Sequence, residues 1–252
     1  MTSIVINIGN TNIRFGYFNH DRCVDSWLIN SKPYGTRDEL VAQFSLLYRS
    51  YNIDPGTIDR VIIGSVVPQL TGVIGSAVNK IHGKPAVLVD RNTASGVRTI
   101  SKQIGTDIYA NLVAAHHLYP GRTKIVLDFG TALTASCVSA TGESLGAIIA
   151  PGIVTALNSL IKQTAQLPEI ELVPPATVLG HDTVSCMQSG MVYGYLGMVE
   201  GFVQRINKEV GQECFVIATG GVSHVYKPLT DKIDIADKLH TLKGLYFLGK
   251  EL

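Results

Sequence analysis

Three short stretches carry residue types suited to phosphoryl transfer. Asp128 ends an apolar run and directly precedes Phe129-Gly130-Thr131-Ala132-Leu133-Thr134. A carboxylate at the base of a small-residue turn can hold a cation that offsets charge on nucleotide phosphates; an aspartate there also serves simply to cap the turn. Asp107, in Gly105-Thr106-Asp107, opens a helical pattern through Ala110-Asn111-Leu112-Val113-Ala114-Ala115. By spacing alone it fits two roles, a first-turn residue favoured by the helix macrodipole or a general base that receives the proton of an attacking alcohol. Thr219-Gly220-Gly221 follows a strand-like run and would let a flat ring or a phosphate approach the backbone.

The Asp128 stretch has a counterpart near the N-terminus. Ile4-Val5-Ile6-Asn7-Ile8-Gly9-Asn10-Thr11 lies over Ile125-Val126-Leu127-Asp128-Phe129-Gly130-Thr131-Ala132 at a constant offset of 121. A strand, one polar residue, a glycine and then small polar residues leading into another strand make a hairpin whose tip presents N–H groups and hydroxyls. One such tip is an ordinary glycine turn. Two in register point to a duplicated phosphate cradle.

Other chemistries find no footing. Gly244-Leu245-Tyr246-Phe247-Leu248-Gly249-Lys250 has the spacing of a P-loop, but Glu251 occupies the place of the magnesium-binding Ser or Thr. No GxGxxG fingerprint occurs. His116-His117 has no Glu or Cys at ligand spacing, and His181, His224 and His240 are isolated.

The elements needed to position these residues follow from periodicity. Strands are predicted at Ile4–Ile8, Arg14–Phe18, Cys23–Ile29, Arg60–Gly64 and Ala86–Asp90, with helices at Asp38–Tyr51 and Gln69–His82. A helical segment, Ile108–Leu118, leads to Tyr119-Pro120-Gly121, and from Ile125 the order begins again. There a strand, a glycine turn, a second strand and a third near Leu145–Ile149 precede helices at Ile153–Thr164 and Met187–Val210 and a strand at Phe215–Ala218. The expected fold is α/β in two lobes, 1–120 and 121–252.

The 252 residues are 46% hydrophobic, enough for real cores, and 21 Lys plus Arg balance 20 Asp plus Glu. No charge excess points to nucleic acid or an anionic membrane. Cys23, Cys137, Cys186 and Cys214 form no CxxC pair and suit reduced thiols in a cytoplasm. The longest apolar stretch, Leu145–Leu157, contains Pro151 and Gly152 and is shorter than the roughly 20 residues of a membrane span.

In order and spacing, the set resembles the type III pantothenate kinases of the actin/Hsp70/sugar-kinase superfamily over nearly the whole chain. The stretches that carry the resemblance are Ile8-Gly9-Asn10-Thr11, Ser65-Val66-Val67-Pro68, Gly105-Thr106-Asp107, Asp128-Phe129-Gly130-Thr131-Ala132, Ala150-Pro151-Gly152, Gln188-Ser189-Gly190 and Thr219-Gly220-Gly221. It implies two duplicated, ribonuclease-H-like lobes with a cleft for ATP between them, and transfer of phosphate from ATP to a small alcohol, pantothenate first. It also implies Mg2+, a monovalent cation (potassium or ammonium) and a homodimer.

Carried over by position, the resemblance assigns Asn7, Ile8, Gly9, Asn10, Thr11, Asn12, Ile13, Arg14 and Thr131 to ATP. Asp107 becomes the catalytic base and Asp128 the cation ligand, while Arg98, Gly105, Thr106, Asp107, Ile108 and Thr183 contact the acceptor. Three positions depart from the family pattern. Asn7 replaces an aspartate, Ile108 an arginine that pairs with the pantothenate carboxylate, and Arg98 a tyrosine. A carboxylate buried without its cation costs roughly several kcal/mol, and Arg98 is a substitute source of charge. The departures leave two alternatives open: a kinase of the same fold acting on another small alcohol or nucleoside, and a non-catalytic nucleotide-binding regulatory protein.

Overall fold

The computed structural model describes residues 1–99, 103–250 and 252, and they divide into two compact units. The first comprises Met1–Ala114 together with Leu239–Leu252, the second Ala115–Lys238. A boundary at Pro120 would have left the C-terminal segment with the second lobe; the chain instead returns it to the first.

In the first unit β1 (Thr2–Ile8), β2 (Asn12–Asn19) and β3 (Arg22–Asn30) form an antiparallel meander. Then come α1 (Arg37–Ser50), β4 (Arg60–Ser65), α2 (Pro68–His82), β5 (Val87–Val89) and α3 (Thr106–Leu118), the last of which spans the division. The sheet order is β3-β2-β1-β4-β5, with β4 and β5 joined in parallel. Alternation along β1 sends Ile4, Ile6 and Ile8 to the face covered by α1 and α2, where they meet Phe15, Trp27, Phe44, Tyr48 and Ile74. Phe15 stacks on Trp27 at 5.4 Å and meets Phe44 edge-on at 5.0 Å. Helix α1 opens with a capping box between Thr36 and Glu39.

The second unit repeats that plan. Its strands are β6 (Lys124–Phe129), β7 (Ala132–Val138), β8 (Ser144–Pro151), β9 (Phe215–Gly220) and β10 (Ile235–Ala236); α4 (Ile153–Gln163), α5 (Thr183–Val210) and the short α6 (Ser223–Tyr226) lie between them. The order β8-β7-β6-β9-β10 reproduces that of the first sheet, down to the antiparallel hairpin and the parallel pairing of its first strand. Ile125, Leu127 and Phe129 face a core with Tyr195, Val199 and Tyr226. The repeat legible in the two glycine turns is thus a repeat of whole sheets. The copies differ at the tip: Ile8 pairs with Ile13 around residues 9–12, whereas Phe129 pairs with Leu133 around residues 130–132.

The chain closes with α7 (His240–Gly249), which periodicity did not predict. It covers the other face of the first sheet, with Tyr246 stacked on Phe18 at 4.7 Å. The P-loop-like spacing of residues 244–250 is therefore helix rather than a phosphate-binding loop. Among the described residues no helix is long and apolar enough to cross a membrane.

Candidate active site

In the first unit the β1–β2 turn is closed by Gly9 N–H donating to Asn12 O (3.0 Å). Ser31, just past β3, clasps it: its N–H donates to Thr11 O (2.9 Å) and its hydroxyl to Gly9 O (2.6 Å). Ile8 and Ile13 are buried in the core, so any contribution they make to a nucleotide is through backbone groups. Asn7 and Arg14 are cross-strand partners and half-buried. Val66 ties this end of the sheet to the next segment, donating its N–H to Ile8 O at 3.0 Å.

Asp107 sits in the first turn of α3, where the Ile108 N–H donates to its Oδ1 (2.8 Å). Burial raises its pKa above the ordinary carboxylate value, against the lowering effect of that hydrogen bond. The carboxylate curls back over Gly105: a Cβ built there would lie 2.6 Å from Asp107 Oδ1 and 3.8 Å from Val66 Cγ1. Gly105, Thr106 and Val66 in turn line a cavity of about 620 Å3, shared with Ser65, Asp90 and Arg91. Asp107 itself is not among the lining residues but directly follows Thr106, which is, and a half-buried carboxylate with reduced acidity next to a cavity wall has what a general base needs.

Of the positions expected to touch the acceptor, Gly105 and Thr106 meet at this cavity. Ile108 points into the core, 8% exposed, and Arg98 is exposed and not among the lining residues. Thr183 opens α5 in the second unit, exposed, beside the Asp182–Ser185 capping box. Arg91 was not foreseen; it lies outside every motif, and only the turn-forming run Asp90-Arg91-Asn92-Thr93 hints at an ordered position.

In the second unit Gly130 N–H donates to Ala132 O (3.2 Å), and Thr131 O accepts from Gly152 N–H (3.1 Å) and the Thr155 hydroxyl (2.8 Å). Gly152 is the N-cap of α4, so the positive end of that helix dipole stands at the turn. Asp128 is half-buried and paired in register with Thr134 on β7 and Thr219 on β9. The Thr219 hydroxyl is buried and has no hydrogen-bond partner among the described residues, on a residue 1% exposed. A carboxylate flanked by two threonines suits a cation that accepts oxygen donors. Among the described residues no group of three or more His, Cys, Asp or Glu could hold a metal. Gly220 adopts φ +91, and a Cβ on it would fall 2.6 Å from the Phe129 carbonyl, so the Thr219-Gly220-Gly221 turn brings two backbones together as only glycine allows.

Two sheets of identical order, each with a glycine hairpin at the end of its first strand, define the two-lobed fold of the actin, Hsp70 and sugar-kinase superfamily. Solved structures agree on that fold. A Campylobacter jejuni protein assigned to the Baf family of transcriptional activators has a TM-score of 0.63 at 17% identity, covering 98% of each chain. A ROK family glucokinase from Streptomyces griseus, in complex with glucose and AMPPNP, has a TM-score of 0.53 at 13% identity, covering all of each chain.

A sequence profile of type III pantothenate kinase matches residues 3–205. The type III pantothenate kinase of Frankia alni is 41% identical over 246 residues, 96% of each chain, and that of Syntrophus aciditrophicus 37% over 250 residues, 98% of each. The chain belongs to the type III pantothenate kinase family.

Proposed function

We propose that this protein transfers the γ-phosphoryl group of ATP to the primary hydroxyl of pantothenate, giving 4′-phosphopantothenate for coenzyme A synthesis. The observation that carries the reading is the Asp107 carboxylate, made less acidic by burial and set over Gly105 at the cavity wall. Asp107 would accept the hydroxyl proton as the new P–O bond forms. Phosphoryl transfer runs through a loose transition state, so positioning and charge compensation matter more than base strength. Within the first unit the Gly9–Asn12 tip and Arg14 offer N–H groups and positive charge suited to phosphate, and within the second the Gly130–Thr131 tip and the N-terminus of α4 offer N–H groups and a helix dipole suited to it.

Asn7, through its carbonyl, would contribute to a Mg2+ site and Asp128, with Thr219 beside it, to a potassium or ammonium site; both ions supply charge that offsets the phosphates. The exposed edge strand β8, with Leu145 and Ile149 45% and 69% exposed, supports a homodimer. Four free thiols support a cytoplasmic location. A coupled ADP-release assay with pantothenate tests the reading: wild-type turnover cut by about 10²–10⁴ in Asp107→Asn is expected, and no wild-type turnover, or turnover indifferent to that substitution, overturns it.

A further inference from the structure

We infer that Arg91 binds the carboxylate of the acceptor in the cavity beside Asp107. The inference rests on the reading above, because pantothenate carries its reactive hydroxyl at one end and a carboxylate at the other. With the hydroxyl directed to Asp107 past the Gly105-Thr106 wall, the carboxylate lies further into the cavity and needs a cation there.

Among the described lining residues Arg91 is the sole cation. Its backbone is held in a tight turn: Thr93 N–H donates to Asp90 O (3.1 Å), and Asp90 N–H donates to the Thr93 hydroxyl (3.0 Å). The turn is anchored in turn to α3, since the Tyr109 hydroxyl donates to Thr93 O at 3.1 Å. Asp107 and Arg91 are thereby referred to one helix. Asp90, which also lines the cavity, makes no ion pair with Arg91 among the described residues; its carboxylate accepts from the Asn92 N–H (2.8 Å) and the Asn92 side-chain amide (3.0 Å) instead. No hydrogen bond or ion pair among the described residues engages the Arg91 guanidinium, whose planar fork matches a carboxylate with two parallel hydrogen bonds. Ile108 is buried in the core and supplies no charge to the cavity.

An ion pair at the end of the acceptor remote from the reacting hydroxyl is made equally in ground and transition states, so its loss raises KM and spares kcat. The test is steady-state kinetics of the full chain and of the R91K, R91A and R91E variants, with pantothenate and with ATP varied in turn. Expected is a rise in KM for pantothenate in the order wild type, R91K, R91A, R91E, by about five- to thirtyfold for R91A, the span from an exposed pair to a partly desolvated charged hydrogen bond. The kcat and the KM for ATP stay within about twofold. A pantothenate KM in R91A within twofold of wild type, or R91E no weaker than R91A, overturns the inference and leaves the pantothenate reading standing. A wild-type chain that does not phosphorylate pantothenate overturns both.

Discussion

The carboxylate of Asp107 folds back over Gly105, so that a Cβ at position 105 would lie 2.6 Å from Asp107 Oδ1. The obstructed atom is the free end of a side chain, which can rotate away at little cost to the fold. Gly105→Ala is therefore expected to leave the melting temperature nearly unchanged while moving the base. A displacement of about 1 Å costs up to roughly a hundredfold in rate. Comparing kcat with the thermal midpoint of the same preparation checks this; a large loss of stability would show that Gly105 serves the fold instead.

Asp107→Asn should separate stability from activity in opposite directions. A carboxylate whose pKa is raised on folding contributes stability that is fully present below its unfolded pKa and lost as pH rises through the folded value. Above its unfolded pKa burial thus makes the carboxyl group of Asp107 a net cost, and the amide, which can still accept from Ile108 N–H, removes it. The variant is expected to melt higher than wild type at pH 7, with the difference vanishing towards acid pH, while kcat falls by about 10²–10⁴. In the wild type, kcat/KM should fall on acidification through a pKa above the ordinary carboxylate range.

Thr219→Val tests the cation site proposed at Asp128. The buried Thr219 hydroxyl has no partner in the described structure, so replacing it by a methyl of similar shape is expected to be neutral or stabilising to the fold. If the hydroxyl completes an oxygen site with Asp128, its register neighbour, half-saturation by potassium or ammonium should rise about tenfold, equivalent to about 1.4 kcal/mol. An unchanged cation titration would remove Thr219 from the site.

How much of this was legible in the sequence depends on the range of the interaction. The β1 and β6 hairpins were readable because alternation and a glycine turn are local, and their offset of 121 exposed the duplication. Asp107 was readable as a first-turn residue and as a candidate base, but the burial that raises its pKa was not, since burial depends on packing rather than on local pattern. The same holds for Ile108, which sequence position assigned to the acceptor and packing assigns to the core. Ser31 clasping Gly9 and Arg91 reaching the cavity of Gly105 depend on loop paths that no periodicity encodes.

The strongest such failure is α7, and it yields a discriminating pair of substitutions. Gly244 and Lys250 occupy the first and last informative places of the P-loop-like spacing, yet they do unrelated work. Helix α7 presses against α3 so closely that a Cβ on Gly244 would fall 1.9 Å from Ala110 O, a backbone atom that cannot swing aside. The crossing is fixed further by the Thr241 hydroxyl donating to Asn111 Oδ1 at 2.8 Å. Gly244→Ala is expected to cost about 1–3 kcal/mol or more through overpacking, a fall of roughly 2–10 °C in a chain of this size. It should also lower kcat, because α3 carries Asp107. Lys250 lies 3.7 Å from Asp21 in a solvent-screened pair, so Lys250→Ala should cost no more than about 1 kcal/mol and leave the KM for ATP unchanged. A P-loop would reverse the pattern, with Lys250→Ala abolishing nucleotide binding in a fully stable protein.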